Sequence, residues 1–288
     1  MNAINGLATK LFDVLLTPLE MMGNEMALIL LSGIFGAIAL IVFKHISSQK
    51  GIKAAKDKIK GHMIAIRVYQ DDLAVVGMSV VKVMIRNVQY IFLNFGPFIP
   101  LAPLFVVVVA QTVVRYGFDP VPIVSEQERG AMLPGAGNEL QLVMKPGQEK
   151  MASKLKITWP EGLTTTSPLV RSGSRGRAFQ EFVASAPGDY EIQMSFGDDK
   201  VFTKTISAGE TSLRYLQNER HSDPWITMLW PVEESFPADS PLASVTFLYP
   251  EADLGWLPLS GPMGVMVWFI LASMAFGIAL IKPLKVQI

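Results

Sequence analysis

The sequence predicts an α-helical membrane protein that carries an all-β, immunoglobulin-like sandwich domain, and three observations predict it. Residues 26–43, 88–114 and 254–281 are free of charged side chains, and about 20 apolar residues in a helix cross a hydrocarbon core of ~30 Å. Between the first two runs, residues 44–86 hold nine Lys or Arg against three Asp. Between the last two, short alternating segments are punctuated by Gly, Asp and Pro, as in a sheet domain. Composition agrees: 50% of residues are hydrophobic and 17% charged, against about 25% charged in ordinary soluble domains.

In chain order the expected segments are 1–25, 26–43, 44–95, 96–116, 117–255, 256–282 and 283–288. Within 1–25, Leu7, Leu11, Leu15, Leu19 and Met22 recur at helical spacing while Lys10, Asp13 and Glu20 lie elsewhere, which predicts an amphipathic helix on the outer leaflet. Residues 26–43 form transmembrane helix 1. It contains Ser32, Gly33, Gly36 and Ala37, small enough for another helix to approach closely.

Residues 44–95 read as a basic helical hairpin. Ile52, Ile59, Met63 and Ile66 make one stripe, with Lys50, Lys53, Lys56, Lys60 and Arg67 as a basic face towards anionic lipid headgroups or a ribosome surface. Gln70, Asp71 and Asp72 supply the turn, and an apolar periodicity runs from Leu73 to Phe95. Gly96, Pro97, Pro100 and Pro103 then break the helix. A proline lacks the N–H that would bond the carbonyl four residues back, so the carbonyls of Leu93, Gly96 and Ile99 need other partners. The expected form is a helix to Phe95, a bend, and transmembrane helix 2 within 96–116.

Residues 117–255 contain strand-like runs at 140–144 and 154–159, and a hairpin of 190–196 with 200–207 turning at Gly197, Asp198 and Asp199. Regular short strands over ~110 residues suggest the sandwich. Residues 172–177 (SGSRGR) read as an exposed loop. Transmembrane helix 3 lies in 256–282, with Trp256 at the headgroup belt and Ser273 and Gly277 as a small-residue pair.

Lys and Arg flanking spans stay in the cytoplasm. Residues 44–86 carry a net +6, the first 25 residues −2, residues 116–253 −7 and the last residues +2. This predicts a multi-pass inner (plasma) membrane protein with its N-terminus and residues 117–255 outside, and residues 44–87 and the C-terminus cytoplasmic. The absence of cysteine removes disulfide frameworks and thiolate metal sites and points to a bacterial envelope.

Catalysis finds little support. His45, His62 and His221 are scattered, without metal-ligand spacing. His221, Ser222 and Asp223 are adjacent in sequence, which is not triad geometry, and the PGAG of 134–137 lacks the Lys-Ser/Thr of a phosphate loop. No catalytic residue, metal, cofactor or small-molecule substrate is expected. The polar chemistry that remains lies where the second apolar run begins. Lys82, Arg86 and Gln89 share one helix face, with Asn87 and Asn94 nearby. Together they are candidates to line a hydrophilic groove open to the cytoplasm.

The hairpin pattern (KGIKAAKDKIKGHM, then DDLAVVGMSVVKVMIRN) and the following FGPFIPLAPLF resemble the three-span core of the Oxa1 superfamily of membrane insertases. The closest branch holds subunit 3 of the ER membrane protein complex, TMCO1 and the archaeal DUF106 proteins. The resemblance covers residues 26–116 and 258–283 and implies an insertion or assembly factor whose groove receives hydrophobic client segments. In that comparison Arg86, with Lys82 as substitute, takes the place of the groove's positive residue. The β domain departs from the family, whose members have a short outer connection there. The alternative expectation is a non-enzymatic binding or structural subunit that displays the sandwich to other membrane subunits.

Overall fold

The computed structural model describes residues 2–132, 135–197, 200–210 and 213–286. Its helices are α1 (Asn2–Glu20), α2 (Asn24–Ile46), α3 (Gln49–Val68), α4 (Leu73–Phe95), α5 (Phe98–Tyr116), α6 (Glu126–Ala131) and α7 (Gly261–Ile281). Four of them, α2, α4, α5 and α7, are long and apolar enough to cross a membrane. The sequence reading had three such segments. The additional one is α4, whose length passes unnoticed when its apolar residues are read as one stripe of a hairpin.

Local chemistry sets the helix ends. Ser48 Oγ accepts the Gly51 N–H at 3.3 Å, and Asp72 Oδ1 accepts the N–H groups of Ala74 and Val75 at 3.0 and 3.1 Å. Both satisfy donors that a helix start leaves open. Between α4 and α5 the break spans two residues only. Gly96 N–H closes the last turn on Phe92 O at 2.9 Å, Pro97 has no N–H to offer, and the Gly96 carbonyl accepts from Ile99 at 3.2 Å. Pro100 lies in the first turn of α5, and Pro103 is inside it.

The chain divides into two compact units, Met1–Leu28 with Val106–Val267, and Ile29–Phe105 with Trp268–Ile288. The first unit contains β1 (Asn138–Met144), β2 (Lys156–Thr158), β3 (Leu163–Thr165), β4 (Val170–Ser172), β5 (Arg177–Ala184), β6 (Gly188–Ser195), β7 (Val201–Ala208), β8 (Glu219–His221) and β9 (Leu242–Thr246). One sheet runs β3-β5-β1-β9-β8, with β4 also on β5; the other runs β2-β6-β7. The strand pairs are antiparallel. Strands β6 and β7 pair from Gly188↔Ala208 to Ser195↔Val201; Asp198 and Asp199 of the expected turn lie outside the described residues, as does Pro134 of the PGAG segment. Period-two alternation buries Ile192 and Met194 while Glu191 and Gln193 face out. These join Leu140, Leu142, Phe182, Ile206 and Phe247 in one core. Residues 173–176 form the turn between β4 and β5, with Ser172 and Arg177 of the expected loop paired at the strand ends, and a 3₁₀ turn at Glu149–Lys154 takes the start of the expected 154–159 strand.

In the second unit, α3 and α4 pack as a hairpin, and Leu40, Phe43, Ile52 and Val286 form a core with Tyr90, Leu93 and Leu284 against it. Helices α2 and α7 meet through small residues. A Cβ built on Gly36 would lie 2.1 Å from the Ser273 carbonyl oxygen, and one on Gly33 2.7 Å from the Phe276 ring. Neither helix can yield at a backbone carbonyl. Gly36→Val is therefore expected to cost about 1–3 kcal/mol, the range for overpacking. Gly61→Ala, on an open face of α3, should instead be neutral or gain up to about 1 kcal/mol of helix propensity. Thermal unfolding in detergent distinguishes them: a lowered midpoint for the first variant only.

Candidate functional site

The second unit holds a groove of about 700 Å³ between α2, α4, α5 and α7. Helix α2 contributes Phe35, Gly36, Ala39, Leu40 and Phe43, an i, i+4, i+8 stripe. Phe98, Leu101 and Phe105 from α5 face it, and Ser273, Met274 and Gly277 come from α7. Rings fix the walls: Phe269 sits 5.2 Å from Phe35 and 5.9 Å from Phe105, and Phe98 lies 5.8 Å from Phe43 and 5.9 Å from Phe95. The absent side chains of Gly36 and Gly277 leave depth beside the α2–α7 contact.

The lining is apolar with few exceptions. Ser273 Oγ donates to the Ile270 carbonyl at 2.9 Å and is thereby answered. Asn94 is 9% exposed; its Nδ2 donates to the Tyr90 carbonyl at 2.8 Å, while its Oδ1 is buried with no hydrogen-bond partner. Leaving an acceptor unmatched costs about 1–3 kcal/mol, and a donor entering the groove would relieve that cost.

The five candidates from sequence do not share this place. Asn94 lines the groove; Lys82, Arg86, Asn87 and Gln89 are not among its lining residues. Arg86 is half-buried and donates to Gln89 Oε1 at 2.6 Å, and Asn87 Nδ2 donates to the Val83 carbonyl at 3.0 Å. Position along α4 separates them: the helix meets the groove only from Tyr90 onward, so Arg86, one turn before Tyr90 on the same i, i+4 row, and Lys82, two turns before it, fall short of the lining. Lys50, Lys53, Lys56, Lys60 and Arg67 all lie on α3, and Gly96, Pro97, Pro100 and Pro103 at the α4–α5 break. No family model, curated protein or solved structure matches the chain.

Two polar clusters of the first unit escaped the sequence reading. Arg115, ending α5 and 8% exposed, donates to Glu20 through Nε at 2.5 Å and Nη2 at 2.8 Å, and through Nη1 to Asp13 at 2.7 Å and the Tyr215 hydroxyl at 2.5 Å. Tyr116 donates to Glu20 Oε1 at 2.9 Å. This ties α1 to α5 through a charge-assisted, two-point pair. The Arg115 hydrogen bond holds the Glu20 carboxyl below its ordinary value of 4.5, against the opposing pull of burial. At Asp13 burial pushes upward, but the hydrogen bonds from Arg115 and Tyr215 prevail and lower it. An arginine closing an uncharged run, with carboxylates in the first 25 residues, was the available signal.

The other cluster surrounds Lys204 of β7, 1% exposed. Its ammonium donates to Glu233 Oε2 at 2.5 Å and the Gln217 carbonyl at 2.9 Å; Glu233 also accepts the Thr205 N–H at 2.8 Å. Burial lowers the Lys204 value despite Glu233. The period-two position of Lys204 between Phe202 and Ile206 was the available signal.

His221 Nε2 meets Glu219 Oε1 at 2.6 Å, and Asp223 Oδ1 accepts the Trp225 N–H at 2.8 Å. Ser222 pairs through its backbone N–H with the Ala243 carbonyl at 2.9 Å, and the three do not form a triad.

Lys204→Met is expected to cost about 3–5 kcal/mol, because Glu233 is left buried without its cation; chemical unfolding of the full chain reads this directly. For Glu20, a depressed folded value means that its stabilisation is complete above pH 4.5 and disappears as pH falls through the lowered value. Hydrogen exchange should show α1 amides less protected in Glu20→Gln than in the parent at pH 7. The difference should close as the pH falls below 4.5 and through the parent's lowered value; a gap that persists once Glu20 is protonated contradicts the pairing.

Proposed function

We propose that the chain is a membrane-protein insertion or assembly factor of Oxa1-like type that holds an apolar client segment in the α2/α4/α5/α7 groove. The observation that carries this reading is an open groove among membrane-length helices whose one unmatched polar atom is the Asn94 amide oxygen. A polar group on a client helix that donates to Asn94 is shielded from hydrocarbon, where an unmatched polar group costs several kcal/mol. The resemblance had pointed to a polar groove beside Arg86. The groove's chemistry favours a mostly apolar client with a single donor.

In this reading α2, α5 and α7 are the three crossings. Helix α4 stays at the cytoplasmic interface, because Lys82 and Arg86 near its middle would each cost about 2.5–3.5 kcal/mol at the bilayer centre. Its exposed Leu73, Met84, Phe92 and Phe95 then rest among acyl chains, with the lysines of α3 towards headgroups. The β domain, read as immunoglobulin-like and extracytoplasmic, holds clients or partners after transfer. The chain makes and breaks no covalent bond in this role.

A photocrosslinker placed at Phe98, on the groove wall, is expected to capture newly made membrane proteins transiently. Ala39→Trp, which fills the groove, should reduce both capture and insertion several-fold. A stoichiometric, permanent partner at Phe98, with insertion unchanged in Ala39→Trp, would favour a structural subunit instead.

A further inference from the structure

Helix α1 is built inside out. Asn5, Thr9, Phe12, Asp13, Leu16 and Glu20 face the rest of their unit. Asn5 Nδ2 donates to the Thr227 carbonyl at 3.0 Å, Thr9 Oγ1 accepts from Gln111 at 3.0 Å, Phe12 and Leu16 are buried, and Asp13 and Glu20 hold Arg115. On the opposite face Leu7, Leu11, Val14 and Leu15 are exposed, Leu7 at 72% and Val14 at 74%. A helix that buries Asn5 and turns Thr9, Asp13 and Glu20 to protein partners while Leu7, Leu11, Val14 and Leu15 face outward is not arranged for water.

The β domain extends the same apolar surface. The Asn5–Thr227 bond seats the 3₁₀ turn Ile226–Met228 beside the start of α1. This turn is flanked by Trp225, 72% exposed, and Leu229, also exposed. Leu259, two residues before α7, adopts φ +71°, a conformation unfavourable for leucine, and its side chain is exposed, as is that of Trp256 five residues before α7.

We propose that the β domain stands on the membrane, with α1 and the Trp225–Leu229 turn embedded as an apolar foot in the outer headgroup and upper acyl layer. Continuity names lipid as the occupant. Helix α1 ends four residues before α2 begins, its carboxylates bind the last turn of α5, and Leu259 precedes α7, so the foot is held at the ends of three membrane-length helices. Indole side chains prefer this layer. Lys10 and Arg214, both exposed, border the foot and suit phosphate headgroups. Arg214 also donates to Thr17 Oγ1 at 2.7 Å.

The cysteine-free chain permits single nitroxide labels on the full protein in phosphatidylcholine nanodiscs. Leu229→Cys, which keeps Trp225, and Leu11→Cys should be relaxed by oxygen and shielded from a water-soluble nickel chelate. Val170→Cys on β4 should show the reverse. An oxygen-to-nickel ratio several-fold higher at 229 and 11 than at 170 supports the proposal. Nickel access at 229 equal to that at 170 overturns it. Shielding of 229 from both reagents also overturns it, since protein rather than lipid would then cover the foot.

Discussion

Polar groups cannot be left unanswered where water is absent, and this constraint orders the apolar parts of the molecule. Thr112 donates its hydroxyl to the Val108 carbonyl, Ser273 its hydroxyl to that of Ile270 and Asn87 its amide N–H to that of Val83, each within its own helix. Gln111 finds Thr9, and Arg115 finds two carboxylates and a phenol. Among the described residues of the second unit, Asn94 alone leaves a buried side-chain atom without a partner. In the first unit Asn5 Oδ1 and Ser207 Oγ are also without a partner; Asn94 is the one of these that lines the groove, where a ligand's donor is expected.

The same constraint explains why so much of the fold could be read from residue order. Uncharged runs mark the long helices, the turn at Gln70–Asp72 ends in the cap of α4, and the Gly96–Pro97 pair removes the donor that α4 would need to continue. The β6–β7 pairing followed from alternation and the Gly-Asp-Asp turn signal between the two runs. These signals are local: each depends on residues within a turn or a strand of one another.

What was not legible depends on pairings across the chain. Arg115 and Glu20 are 95 positions apart, and no period connects them. The groove combines residues from four helices, so its apolar character could not be inferred from the polar cluster on α4. That cluster marked the correct helix but mostly its earlier turns; Asn94, its last member, is the one far enough along α4 to reach the lining. Helix α4 shows the limit of counting: length and apolarity admit it as a crossing, and only the energetic cost of Lys82 and Arg86 argues for the interface.

The account stands on the proposed sidedness, with the basic α3–α4 hairpin in the cytoplasm and the β domain outside. Because the chain lacks cysteine, Lys53→Cys and Val170→Cys can each be labelled in intact cells and in inverted membranes with a membrane-impermeant thiol reagent. The account predicts that position 170 reacts in cells whose cytoplasmic membrane is intact, and position 53 only in inverted membranes. Labelling of both from the same side would contradict it.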